Sequence, residues 1–306
     1  MPGQSDRCRR RPAVDGGTRR VRMPIDYEHL MSLRTRGERV HYTDRDTLLY
    51  ALGVGFGRDP GNPNELSYVA EHAGLKTLPS YASILASSTV LDDCGWDTSR
   101  VVLRAESVTL ERPIDEAGAL LVDREVAAVF DKGADEGALI VVESRARREQ
   151  DGQAIFTTRR TWLARGDGGF GGPRGSSSSP HVLPTRRPDM THHCQTRADQ
   201  ALLFRLSVDR NPLHVDAAVA RQHGLDGPIL HGLCLQGIAC HAILQVICDF
   251  DHTLIRSLAV SFAGPAYPGE TLEAELWQDA NIVSCRLRAL ERDEVVLDHG
   301  RCVLST

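Results

Sequence analysis

The chain repeats itself. Leu48-Leu-Tyr-Ala-Leu-Gly-Val-Gly55 can be laid on Leu202-Leu-Phe-Arg-Leu-Ser-Val-Asp209, and Val108-Thr-Leu-Glu-Arg-Pro113 through Leu120 on Val260-Ser-Phe-Ala-Gly-Pro265 through Leu272 without a gap. Similarity recurring at a near-constant offset marks a duplicated unit, so both halves are expected to share one fold. Between them, residues 166–188 contain Gly168-Gly-Phe-Gly-Gly-Pro-Arg-Gly-Ser-Ser-Ser-Ser-Pro180. Such composition buries little apolar surface, and a flexible linker is expected there. The expected units are therefore residues 23–165 and 189–306, and 306 residues suffice for two medium domains.

Both units read as helices followed by strands. In the first, Val101–Leu110, Leu120–Phe130, Ala138–Arg147 and Ile155–Leu163 are rich in Val, Ile and Thr with partial alternation. They predict an antiparallel meander with turns within Ala127–Lys132 and Arg145–Gly152. In the second, Ser257–Ala263, Thr271–Gln278, Ile282–Glu291 and Glu294–Leu304 read as strands. Thr43 with Asp46 is close to a capping box ahead of Leu48, Leu49 and Leu52, and that helix stops in Gly53-Val-Gly55-Phe-Gly57. Residues 67–85 predict a strand or short helix and then an apolar helix after Pro79. Thr196-Arg-Ala-Asp199 opens a helix in the second unit, with Leu202, Leu203 and Leu206 as its apolar side. From Gly232 to Ile243 an apolar run with small residues at its start predicts a buried helix whose first turn carries free N–H groups. The fold class is α+β.

A net charge of −5 and a pI near 6.2 give no basic balance for nucleic acid. No apolar run has the length of a transmembrane helix, so no membrane partner is expected. Eight cysteines without a C-x-x-C pair predict reduced thiols and a cytoplasmic location. Residues 1–22 carry seven arginines without apolar periodicity and read as a disordered extension. The ordinary sequence from Met23 onward favours a start site placed too early. His192-His193-Cys194 has no second ligand cluster at zinc spacing, so no metal is expected.

The chemistry concentrates in Asp209-Arg-Asn211-Pro-Leu-His214-Val-Asp216. Asp and Asn bond their own backbone, Pro212 fixes φ and pushes Asn211 out of the α region, and a helix is expected to begin near Pro212. His214 then lies in the first turn, and Asp216 favours the helix start electrostatically. A carboxyl and an imidazole across such a turn can face one water molecule as acid and base. Most Asx-Pro turns only cap helices, so spacing alone leaves both readings open.

The motif, followed by Pro228-Ile-Leu-His231-Gly232-Leu-Cys234, resembles the signature of the R-specific (type 2) enoyl-CoA hydratases of the MaoC-like dehydratase group. The resemblance implies a double hot dog, two long-helix-plus-antiparallel-sheet repeats sharing one sheet. It places the catalytic acid on Asp209, a supporting amide on Asn211, the catalytic imidazole on His214 and an oxyanion-binding N–H on Gly232. His231 is expected to pack or hydrogen-bond at the helix entry. The first copy has Gly55 where Asp209 stands and Gly57 where Asn211 stands, so it is expected to be non-catalytic and to leave room for long acyl chains. The implied reaction is reversible hydration of trans-2-enoyl-CoA to (3R)-3-hydroxyacyl-CoA in fatty-acid or sterol side-chain metabolism. The CoA thioester is the substrate and no cofactor is implied. A dehydratase acting on carrier-bound thioesters and a hot-dog thioesterase are the enzymatic alternatives, and a non-catalytic acyl-CoA-binding subunit the other. A homodimer is expected.

Overall fold

The computed structural model describes residues 25–87, 89–91, 94, 96, 100–176, 179–207 and 209–305. The expectation for residues 1–22 lies outside the described residues. The first unit runs α1 (Tyr27–Ser32), β1 (Arg34–Tyr42), α2 (Asp44–Gly53), α3 (Pro63–Val69), α4 (Ala82–Leu85), β2 (Val101–Leu110), β3 (Gly118–Asp131), β4 (Ala138–Arg148) and β5 (Ala154–Ala164). The second runs β6 (Met190–Gln195), α5 (Gln200–Phe204), α6 (Ala217–Gln222), α7 (Gly232–Val246), β7 (Ile255–Phe262), β8 (Thr271–Asp279), β9 (Ile282–Ala289) and β10 (Glu294–Leu304).

All ten strands form one antiparallel sheet in the order β1-β3-β4-β5-β2-β7-β10-β9-β8-β6. The order is symmetric about the β2–β7 junction. Laying Val108 on Val260 also lays Ser107 on Ala259, and Ser107 faces Ala259 across that junction. A local two-fold axis passes through this pair, so the duplication in the sequence is a rotation in space. The sheet is shared, as the double hot dog requires.

Three details differ from expectation. Of the first unit's four expected meander strands, β3-β4-β5 form one, while β2 lies beyond β5 at the centre. β3 continues to Asp131, so its turn falls later, closed by Lys132 N–H donating to the Gly137 carbonyl at 2.9 Å. The edge strands β1 and β6 carry no clean apolar alternation. Charged residues on edge strands discourage pairing with other chains and erase that signal, as Arg34, Arg36, Glu38 and Arg39 do in β1. His192-His193-Cys194 belongs to β6 and pairs with β8, with exposed His193 Nε2 3.3 Å from Glu273 Oε2.

The described residues of 166–188 contain neither helix nor strand, yet they are tied to both units. The Asp131 carboxylate accepts from the N–H groups of Gly169 and Gly171, each at 2.7 Å. Trp277 Nε1 donates to the Arg186 carbonyl at 2.9 Å. Composition did not disclose these ties, because backbone groups supply half of each.

The helices break the symmetry. α7 spans 15 residues, 11 of them buried, in a core that both units share. Its counterpart α4 has 4 residues after a 3-10 turn at Pro79–Tyr81. Arg124 of β3 explains the stop. Its buried guanidinium donates to the carbonyls of Ala86 and Ser87 at 3.0 Å and of Leu85 at 3.4 Å, and pairs with Glu38 at 2.7 Å. Those are the carbonyls a continuing helix would use. In β8 the equivalent position is Leu276, fully buried and apolar, and α7 runs on. Among the described residues no helix is long and apolar enough to cross a membrane.

Candidate active site

A chain of Asx turns builds the site. Asp209 Oδ1 accepts from the Asn211 N–H at 2.9 Å, and Asn211 Oδ1 accepts from the Leu213 N–H at 2.9 Å. Pro212–His214 then forms a single 3-10 turn. Asp216 caps α6 by accepting from Ala218 N–H at 2.7 Å, as its position in the sequence implied. His214 therefore ends a 3-10 turn and does not open an α-helix. The expected supporting role of Asn211 is also redistributed. Its backbone N–H orients the carboxyl, while its side-chain oxygen is spent on capping.

His214 is buried and the Asp209 side chain is half-exposed. His214 Nδ1 lies 2.8 Å from the Ile229 carbonyl. A carbonyl only accepts, so Nδ1 carries the hydrogen and Nε2 keeps its lone pair. Nε2 lies 3.8 Å from Asp209 Oδ2. Burial pushes His214 below its ordinary value of 6.5, against the opposing pull of the Ile229 carbonyl and Asp209. The geometry delivers a neutral imidazole facing a carboxyl across a gap that one water can bridge.

Gly232 is the first residue of α7, so its N–H has no acceptor within the helix. A Cβ there would come within 3.2 Å of Leu103 Cδ2 and 3.4 Å of the Phe262 ring. These side chains come from β2 and β7, so the helix tip meets the centre of the sheet.

Sequence reasoning underrated His231. Its ring stacks on His214 at 3.6 Å between centroids and 24° between planes, and its Nε2 lies 3.0 Å from the Asp209 carbonyl. The only sequence signal was its place beside Gly232. Asp209, His214 and His231 each bring a ligand-type atom within 4.8 Å of the others. Ring lone pairs lie in the ring plane, and planes so nearly parallel meet far beyond a metal–nitrogen distance of about 2.1 Å.

Residues 40–166 match the MFE-2 hydratase 2 N-terminal domain, and residues 181–299 the MaoC like domain. An enoyl-CoA hydratase of Mycobacterium tuberculosis is 36% identical over 285 residues, covering 91% of this chain and 98% of that protein. The chain belongs to the MaoC-like enoyl-CoA hydratase 2 family. The peroxisomal enoyl-CoA hydratase 2 of Arabidopsis thaliana is 33% identical, covering 85% of this chain and 89% of its own. The crystal structure of a MaoC-like dehydratase from Phytophthora capsici superposes with a TM-score of 0.82 at 26% identity, over 92% of this chain and 98% of that one.

In the first half of this hydratase-family chain, glycines stand where the second half has Asp209 and Asn211. Gly55 and Gly57 have positive φ, which glycine adopts without strain. The offset that puts Gly55 on Asp209 puts Pro60 on His214. A different carboxylate has moved in: Glu65 Oε2 accepts from the N–H of Gly57 at 2.9 Å and of Arg58 at 3.2 Å. Its Oε1 lies 3.6 Å from Nε2 of His241, which projects from α7 and stacks on Phe56. The pair is buried and joins the two units.

Burial pushes Glu65 up, but His241 and the Gly57 N–H outweigh it and hold it below its ordinary 4.5. A depressed carboxylate stabilises the fold above its unfolded pKa, and that contribution disappears as pH falls through the folded value. Glu65→Ala is expected to lower unfolding free energy by about 2–3 kcal/mol at neutral pH, since it orphans buried donors. Urea unfolding at neutral pH and below about pH 4 should show the gap between wild type and variant closing in acid.

Proposed function

We propose that the chain adds water across the C2=C3 bond of a trans-2-enoyl-CoA, giving (3R)-3-hydroxyacyl-CoA, with chemistry confined to the second unit. The observation that carries this reading is the His214 tautomer, whose basic Nε2 faces Asp209 at 3.8 Å. In the reactive form the pair shares one proton, held on Asp209. A water between them gives a proton to His214 Nε2 as its oxygen bonds to C3. Asp209 delivers its proton to C2, and both additions come from one face. Transfer from His214 back to Asp209 restores the pair.

As C2=C3 is attacked, negative charge moves onto the thioester oxygen. The Gly232 N–H, at the positive end of α7, is the donor assigned to it. Glycine lets the thioester approach the backbone closely. The intact motif supports catalysis over acyl-CoA binding alone. No step draws on a cofactor or metal, so activity should survive dialysis against a chelator. We further propose a cytoplasmic homodimer, testable by light scattering and fractionation, and an acyl chain from fatty-acid or sterol side-chain metabolism.

Loss of enoyl-thioester absorbance tests the reaction across short, medium, long and sterol enoyl-CoAs. Coupling to a (3R)-specific or (3S)-specific dehydrogenase tests the stereochemistry. Product reacting only with the (3S) enzyme, or release of free thiol, would overturn the proposal. A pH profile follows from the buried base. On the acid side His214 must stay unprotonated, and its pKa is depressed, so the acid decline of kcat/KM should begin only below 6.5, while on the alkaline side kcat/KM should fall as the pair loses its one proton. An acid limb centred at or above 6.5 would mean that the imidazole is solvated.

A further inference from the structure

We propose that His231 is a positioning residue for the acid–base pair: it anchors the backbone of Asp209 and covers the face of His214, keeping that ring in its basic form. This rests on Asp209 and His214 being the reacting pair.

His231 stands at the N-cap position of α7, yet its side chain makes no cap bond there. Its Nε2 goes instead to the Asp209 carbonyl at 3.0 Å. Because that carbonyl only accepts, Nε2 carries the hydrogen. Nδ1 is then left as a lone pair, buried and without a hydrogen-bond partner among the described residues. Phe204 lies against the ring at 4.9 Å between centroids, at the end of α5. His214 stacks on it at 3.6 Å. A plain structural histidine would satisfy both nitrogens. This one satisfies only the nitrogen that reaches Asp209.

Three consequences follow. Donation to the carbonyl fixes the backbone from which the Asp209 carboxyl projects. The stacked ring excludes water from one face of His214, so a cation on His214 would be poorly solvated. His231 cannot compete for the proton, because a charge on Nδ1 would meet no acceptor and would press against His214. The charged groups facing the two rings are the Asp209 carboxylate and the Arg205 guanidinium, and the arginine opposes protonation of both. Burial, followed by His214, pushes His231 well below its ordinary value of 6.5. Its ring is therefore neutral throughout the working range.

The two tasks separate by mutation. His231→Phe keeps a ring over His214 and removes the donor to Asp209. It is expected to lower kcat about tenfold through misplacement of the acid, with the acid limb of kcat/KM unmoved. His231→Gln keeps a donor and removes the ring, and should raise the acid limb by about one pH unit. Ring ¹⁵N shifts of His231 in the wild-type protein should report a neutral Nε2–H tautomer down to about pH 5. Equal losses in both variants with one common acid limb would overturn the proposal. So would a His231 ring that titrates near 6.5 or carries its hydrogen on Nδ1. The spectra need no variant to fold. They also judge His231 separately from the reaction, which fails on its own if the wild type does not hydrate enoyl-CoA.

Discussion

Asp209→Asn protein is expected to hydrate crotonyl-CoA at least about a hundredfold more slowly than wild type, with its fold intact. The amide is nearly isosteric with the acid, and its oxygen can still accept from the Asn211 N–H that holds Oδ1 at 2.9 Å. What it lacks is a proton to deliver to C2. The Asp209 side chain is half-exposed, so the substitution orphans no buried group and stability should change little. His214→Ala should cost at least as much, because the buried Nε2 has no substitute nearby. Since acid and base act on one water, the double variant should be about as slow as the slower single one. Initial rates with crotonyl-CoA, beside matched thermal melts, decide the matter. Hydration near the wild-type rate by Asp209→Asn would remove the assignment.

Arg124→Leu is expected to lower the free energy of unfolding by about 3–5 kcal/mol, although leucine is what the second unit carries at the equivalent position 276. The reasoning turns on the partners. Glu38 is half-exposed, so loss of that ion pair costs little by itself. The carbonyls of Leu85, Ala86 and Ser87 would lose a buried donor, and unsatisfied buried acceptors cost about 1–3 kcal/mol each. Leucine suits β8 because α7 continues past it and satisfies its own carbonyls. In β3 no such turn follows α4. Urea unfolding followed by tryptophan fluorescence measures the difference. A loss below about 1 kcal/mol would mean that α4 ends for another reason.

The parts of this molecule readable in its sequence are those whose causes are local. β2 and β10 fall at the predicted Val101–Leu110 and Glu294–Leu304, since alternation and flanking turn residues define them. The α2 capping box is closed by Thr43 and Asp46, three positions apart. The approach of Asp209 to His214 was legible because two Asx turns and one 3-10 turn bring the two side chains together. What escaped depends on distant partners. β1 and β6 exist because β3 and β8 offer them free edges. The length of α4 depends on a guanidinium from another strand. His231 gained its meaning from a carbonyl 22 positions earlier in the chain. Leu202 and Leu206, expected on the apolar side of α5, are exposed, because α5 is a short helix flanked by turns and not an amphipathic one.

The axis between Ser107 and Ala259 has a last consequence. In an assembly of identical subunits, any change to one partner is imposed on the other. Here the two partners are written separately, so one can hold an arginine where the other holds a leucine. Division of labour then needs no second gene: one half can hold a set of side chains that its twin lacks, and the twin is free to reshape the neighbourhood around them.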